Sequence, residues 1–124
     1  MAGLERDPAP EGPVVRAFAG TGFAVGDVHY PALLMTPEAA VQWEPPALED
    51  LADTDLAPVL ALDPLPEFLV LGTGSAHRQP PAALRTALDA RGIGLEIMDS
   101  RAAARAWGLL RGEMRWIAAA LMPL

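Results

Sequence analysis

The string Gly72-Thr73-Gly74-Ser75 is the first place in this sequence where residue type and spacing could do chemistry. It follows the apolar run Glu67–Leu71 and precedes a helical pattern, and ligands of α/β proteins bind outside the carboxyl ends of strands. Glycines allow backbone amides to approach an anion closely. The string is not a dinucleotide fingerprint, because His77 stands where the third glycine belongs, and no Gly-Lys-Ser/Thr follows as a phosphate loop requires. Gly-x-Ser-x-Gly, the nucleophile elbow, is also absent. Two readings stay open: a pocket for an anion or small ligand, and a tight strand-to-helix turn that needs positive φ. Ser75 has only His77 nearby as a base. His29 and His77 are the only histidines, and their spacing does not suggest a metal site.

Asp99-Ser100 ends the next strand on the same edge if the pairing is parallel. Asp99 is an acid/base or ligand-contact candidate there, and equally an N-cap for the helix that begins beside it. Arg101 and Arg105 lie one turn apart on that helix, with Gly108 and Gly112 continuing the stripe. Cations near a helix N-terminus oppose the helix dipole, so these arginines call for acidic partners, internal or external. An ordinary solvated face is the alternative. Glu113 and Arg115 are read as structural, bracketing the turn after the helix and pairing with other groups.

These residues must be positioned by the elements around them. Glu67–Leu71 suits a strand buried on both faces. Pro81–Arg91 reads as a helix with Leu84, Ala87 and Leu88 inward, closed by Gly92. Ile93–Met98 is a strand, Asp99 or Ser100 caps a helix to about Gly112, and Arg115–Leu121 is the last strand. The core stripe predicted for that helix is Ala103, Ala106, Trp107, Leu110 and Met114. The order is β-α-β-α-β, with right-handed crossovers and parallel pairing of at least the first two strands. Upstream, Val14–Phe18, Phe23–Val25, Asp27–Thr36 and Val41–Trp43 read as a β-meander with Gly and Pro turns. Pro31 makes its strand an edge or bends it. Leu48–Leu62 is an interrupted helix, with Asp53 or Asp55 as cap and Pro58 in its first turn. Trp43, Trp107 and Trp116 sit at core-like positions.

The chain has 124 residues, enough for one domain with a real core. Residues 1–13 read as a flexible lead-in rich in Pro and charge, and 14–124 as one α/β domain. There is no cysteine, so neither a disulfide framework nor a thiolate metal site is possible. The start resembles no signal peptide, and no stretch has the apolar length of a spanning helix; a cytoplasmic location is expected. Net charge is −7, and all nine basic residues are arginines. Residues 1–71 carry 12 acids against 2 arginines, residues 72–124 carry 4 against 7. Overall acidity argues against nucleic-acid binding, which draws on phosphate neutralisation.

The string from Met98-Asp99-Ser100-Arg101 through Arg105, Ala106-Trp107-Gly108-Leu109-Leu110, then Glu113, Arg115 and Ala118–Leu121, resembles a small domain family. That family includes mitochondrial complex I assembly factor 3 and many uncharacterised bacterial and archaeal proteins. Gly72–Gly74, the segment Phe18–Tyr30 and the Trp43 strand fit as well, so the likeness spans about residues 14 to 122. Asp99, Arg105, Glu113 and Arg115 match the family pattern. Ser100 stands for its Thr, Ala104 for Cys, Ala106 for Thr, Trp107 for Tyr, Gly108 for Asn and Met114 for Gly. The resemblance implies a three-layer α/β fold with a mixed central sheet. For the mitochondrial members it implies help in assembling respiratory complex I.

Two functions follow as expectations. The first is a non-enzymatic interaction or assembly protein with a protein partner, no cofactor and no metal. Its surface joins Gly72, Thr73, Gly74, Ser75 and His77 to Asp99, Ser100, Arg101 and Arg105. The alternative is a binder of, or enzyme for, a small anionic ligand. Amides of Gly74 and Ser75 would hold the anion, with Arg105 as counter-charge and Asp99 or His77 as acid/base.

Overall fold

The structure, a computed structural model, describes residues 12–124. Gly20 and Gly26, at φ of 61° and 57°, reverse the chain twice. They join β1 (Ala17–Ala19), β2 (Gly22–Val25) and β3 (Val28–Tyr30) into an antiparallel sheet in that order. The run Asp27–Thr36 then divides. β3 stays in the small sheet, and after Pro31 the chain passes into a second sheet as β4 (Leu33–Met35) and β5 (Ala40–Gln42). Pro31 has no amide to donate to a ladder, so the bend falls there. Most of the predicted lead-in, residues 1–11, lies outside the described residues; at its end, the Trp107 indole donates to the Pro13 carbonyl at 2.8 Å.

The interrupted segment is two 3-10 turns, Leu48–Asp50 and Asp53–Leu56, running into the single-turn helix α1 (Ala57–Leu60) with Pro58 in its first turn. Asp55 accepts from the Ala52 amide at 2.9 Å, closing the second turn. There follow β6 (Phe68–Gly72), α2 (Ala82–Asp89), β7 (Gly94–Met98), α3 (Ser100–Gly112) and β8 (Ala118–Leu121). Gly92, at φ 78°, makes the left-handed exit from α2 that a side chain would resist.

The five-stranded sheet has the order β5-β4-β8-β6-β7. β6 is parallel to both β7 and β8, while β4 is antiparallel to β5 and β8, so the sheet is mixed. After β6 the chain steps one way to β7, then crosses back to β8 on the other side of β6. Right-handed crossovers in opposite directions put their helices on opposite faces. The packing has that form. Leu69, Leu71, Leu34, Ala118 and Ala120 meet Leu84 and Leu88 of α2 and the Leu51, Leu56 and Val59 turns. The alternate residues Val70, Leu33, Met35, Ala119 and Leu121 meet Ala103 and Trp107 of α3, with Phe23 from β2. The period of two along each strand therefore makes three layers, and each fully buried Leu, Ile or Phe contributes about 1.5–3 kcal/mol.

The inner face of α3 differs from the predicted stripe. Ala103, Ala104, Trp107 and Arg111 are buried, Ala106 and Leu110 are half-buried, and Met114 is 64% exposed. The helix ends at Gly112, and Met114 lies past it at φ 62°, a left-handed conformation usual for glycine. That is the position where the resemblance has Gly.

Candidate functional site

The Gly72 loop and the start of α3 come together at the carboxyl ends of β6 and β8. The helices that follow the neighbouring strands β6 and β7 leave to opposite faces of the sheet, and such a divergence is where open α/β sheets leave a ligand crevice. Here a serine fills it. Ser100 Oγ accepts from the Gly74 amide at 2.8 Å and donates to the Met122 carbonyl at 2.7 Å, and Ser100 is fully buried. The Ser100 amide donates to the Gly74 carbonyl at 2.8 Å, and the Met122 amide to the Gly72 carbonyl at 3.0 Å. Gly72 has no room for a side chain. A Cβ there would stand 2.7 Å from Ser100 Cα and 3.1 Å from Ala103 Cβ. Gly74 takes a φ of 101°, with the Pro123 carbonyl 3.1 Å from where its Cβ would be.

Other polar groups of the loop are also engaged. The Thr73 amide donates to the Met98 carbonyl at 2.9 Å. Thr73 Oγ1 donates to the Ala76 carbonyl at 2.6 Å and accepts from the Arg78 amide at 3.1 Å. Asp99 accepts from the Ala102 amide at 2.9 Å and caps α3. Ser75 and His77 are exposed, with His77 Nε2 3.4 Å from the Gln79 side-chain nitrogen. Gly72, Thr73, Gly74 and Ser100 thus form a hydrogen-bonded knot beside the Asp99 cap, with Ser75 and His77 on its rim. The Gly74 amide, which an anion would need, is held by a protein oxygen. Among the described residues, no three His, Asp or Glu side chains converge as a metal would require.

Arg101 and Arg105 point elsewhere. Both are exposed on α3, toward β1 rather than toward the Gly72 loop. The Arg101 guanidinium lies 5.5 Å from the centroid of the Phe18 ring, in cation–π range. Phe18 is 37% exposed and stands edge-on to Phe23, with centroids 6.1 Å apart. An open hollow of about 260 Å³ between β1 and α3 is lined by Val15, Arg16, Ala17, Phe18, Ala104 and Arg105. Arg16 Nε donates to the Gly26 carbonyl. The ion pairs among the described residues are Arg78–Glu49, Arg91–Asp53 and Arg115–Glu67, so none of Arg16, Arg101 and Arg105 has a carboxylate there.

Arg16 and Phe18 were not among the sequence candidates. Arg16 immediately precedes β1 and Phe18 lies within it, and an exposed aromatic two residues from a cation was the available signal. A second hollow, about 380 Å³, opens between α2 and the outer edge of β7, bordered by Pro80, Pro81, Arg85, Thr86, Leu95 and Ile97. There Arg85 donates to the Leu95 carbonyl at 3.1 Å, covering part of an edge strand. Past the end of α3, Arg115 pairs with Glu67. Their hydrogen bond at 2.9 Å holds the Glu67 carboxyl below its ordinary pKa and raises that of Arg115.

Comparison with known proteins adds to this geometry. Residues 15–122 match the family described as "Protein of unknown function (DUF498/DUF598)". The chain is 32% identical over 116 residues to NADH dehydrogenase [ubiquinone] 1 alpha subcomplex assembly factor 3 of Danio rerio, covering 93% of this chain and 67% of that protein. It is 33% identical over 121 residues to an uncharacterized protein of Rhodobacter capsulatus, covering 96% and 92%. The crystal structure of a Bordetella parapertussis protein superposes with a TM-score of 0.82 at 29% identity, covering 94% of this chain and all of the other. The chain spans about two thirds of the length of the assembly factors it matches.

Proposed function

We propose, from the premise that this chain belongs to the DUF498/DUF598 family, that it is a non-enzymatic interaction protein that takes part in assembling a respiratory complex. The observation that carries this reading is the filling of the switch-point crevice by Ser100. Its hydroxyl occupies the Gly74 amide and the Met122 carbonyl, and Asp99 is engaged as a helix cap. A catalytic site at that place would need those groups turned toward a substrate. The assembly factors among the relatives support protein partners. The contact surface would run from Ser75 and His77, over the knot of Gly72, Thr73, Gly74 and Ser100 and the Asp99 cap, to Arg101 and Arg105. No helix among the described residues is long and apolar enough to cross a membrane. The cytoplasm is the compartment this reading assigns.

The test is affinity isolation of the tagged chain from its own cells after mild cross-linking. Recovery of a protein in fixed stoichiometry with the chain is expected, and repeated recovery of the chain alone overturns the reading. The alternative, binding of a small anionic ligand, draws support from the exposed Arg105 beside a hollow. A rise in melting temperature with one class of anionic metabolite, abolished by Arg105→Gln, would favour it instead.

A further inference from the structure

We propose that the face shared by β1 and α3 is a docking groove for an extended, carboxylate-rich segment of a partner protein. This rests on the interaction reading above and gives that partner a chemistry. Arg16 and Arg105 line the groove and Arg101 lies over Phe18 at its edge, and none of the three pairs with a carboxylate among the described residues. They stand on a chain whose net charge is −7, so their clustering is a local reversal of sign. Arg101 lies in the first turn of α3, where the helix dipole disfavours a cation. An incoming carboxylate relieves that repulsion and makes charge-assisted hydrogen bonds with a guanidinium.

The floor between the arginines is apolar, made by Val15, Ala17, Phe18 and Ala104. A segment that places apolar side chains on the floor and carboxylates on the rim fits both. β1 is an edge strand of its sheet, so an extended segment can also lie along its backbone. The spacing agrees. Arg101 and Arg105 are separated by about 6 Å along the helix axis. Alternate side chains on one side of an extended chain are about 6.6 Å apart. The matching sequence is therefore a carboxylate at every second residue.

The test is titration of the ¹⁵N-labelled chain with a synthetic peptide, Ac-Ser-Glu-Val-Glu-Val-Glu-Ser-amide. Its controls are a peptide of the same composition with the three Glu in one block, and vesicles of phosphatidylserine and phosphatidylcholine. Amide shifts are expected at residues 15–19 and 101–105, weakening as NaCl rises from about 50 to about 300 mM. The double variant R101E/R105E is expected to lose about tenfold or more in affinity, and R78E, an exposed arginine outside the groove, to bind as the wild type does. Melting curves establish that both variants are folded. Shifts centred elsewhere, equal binding of the block peptide, stronger binding to the vesicles, or undiminished binding by R101E/R105E would each overturn the proposal. The two readings separate in the isolation experiment. If R101E/R105E still recovers the wild-type partner, the groove assignment fails and the interaction reading stands; if the wild-type chain recovers none, the interaction reading itself fails.

Discussion

Two neighbouring regions at the N-terminal half of α3 handle polarity in opposite ways. Around Gly72, Gly74 and Ser100 the loop's polar groups meet protein partners within about a helical turn, in a site with no water access for Ser100. Around Arg16, Phe18, Arg101 and Arg105 the charged groups reach solvent over an apolar floor and find no carboxylate among the described residues. The first region has the sequence of a ligand loop and the wiring of a structural joint. The second has no recognisable motif, yet its guanidinium groups reach solvent without a carboxylate partner among the described residues. Glycines and a capping acid at a strand end are thus ambiguous until their amides are traced, because tight turns and anion cradles use the same residues for the same geometric reason.

Perturbing the two regions should therefore give opposite results, strong effects on stability in the first and weak ones in the second. The largest effect is expected for Gly72→Val. Its Cβ would fall 2.7 Å from the Ser100 Cα, and such overpacking against backbone costs about 3 kcal/mol or more, readable as a lower urea midpoint. Ser100→Ala leaves a buried amide and a buried carbonyl without their partner and should cost about 2–3 kcal/mol, while Ser100→Thr, which keeps the hydroxyl, should recover most of it. Asp99→Ala removes only the α3 cap and should cost about 1 kcal/mol in chemical denaturation. A neutral result there would mean that the knot does not depend on its cap.

The other region should respond in the reverse sense. Arg101→Glu exchanges a first-turn cation for an anion and should stabilise the chain by about 0.5 kcal/mol. A loss of stability would show that Arg101 is holding the fold, and the contrast between the regions would collapse. The smallest effect concerns pH. The Arg115 hydrogen bond depresses the folded pKa of Glu67, so its contribution is present at neutral pH and is lost as pH falls through the depressed value. Arg115→Met should remove that slope from the acid limb of the stability curve, leaving the rest of the curve parallel to wild type.

Much of the second half was legible because its signals are local. Continuous apolar runs at residues 67–71 and 93–98, Gly92 and the Asp99 cap mark β6, α2, β7 and the start of α3 nearly where they lie. β8 begins at Ala118 rather than Arg115 because Met114 turns the chain and Arg115 reaches back to Glu67. The division of Asp27–Thr36 between two sheets was only half legible. Alternation says which side chains share a face, and Pro31 says that the ladder stops, but neither says that the next strand joins a different sheet. The meeting of Arg16 and Phe18 with Arg101 and Arg105 was not legible at all. It joins segments far apart in sequence through a sheet-on-helix contact, and no local period encodes such a contact.

The position of β8 carries a consequence for how the protein comes into being. β8 is made after the other four strands of its sheet and is the middle one, flanked by β4 from the first third and β6 from the second half. Before Leu121 leaves the ribosome, the β4–β5 hairpin and the parallel β6-α2-β7 unit are two separate pieces with no common neighbour. A nascent chain must therefore wait, with both half-sheets presenting open edges, until residues 118–121 arrive to close them, and the interval before they do is when it is most exposed to chaperones and to its own neighbours.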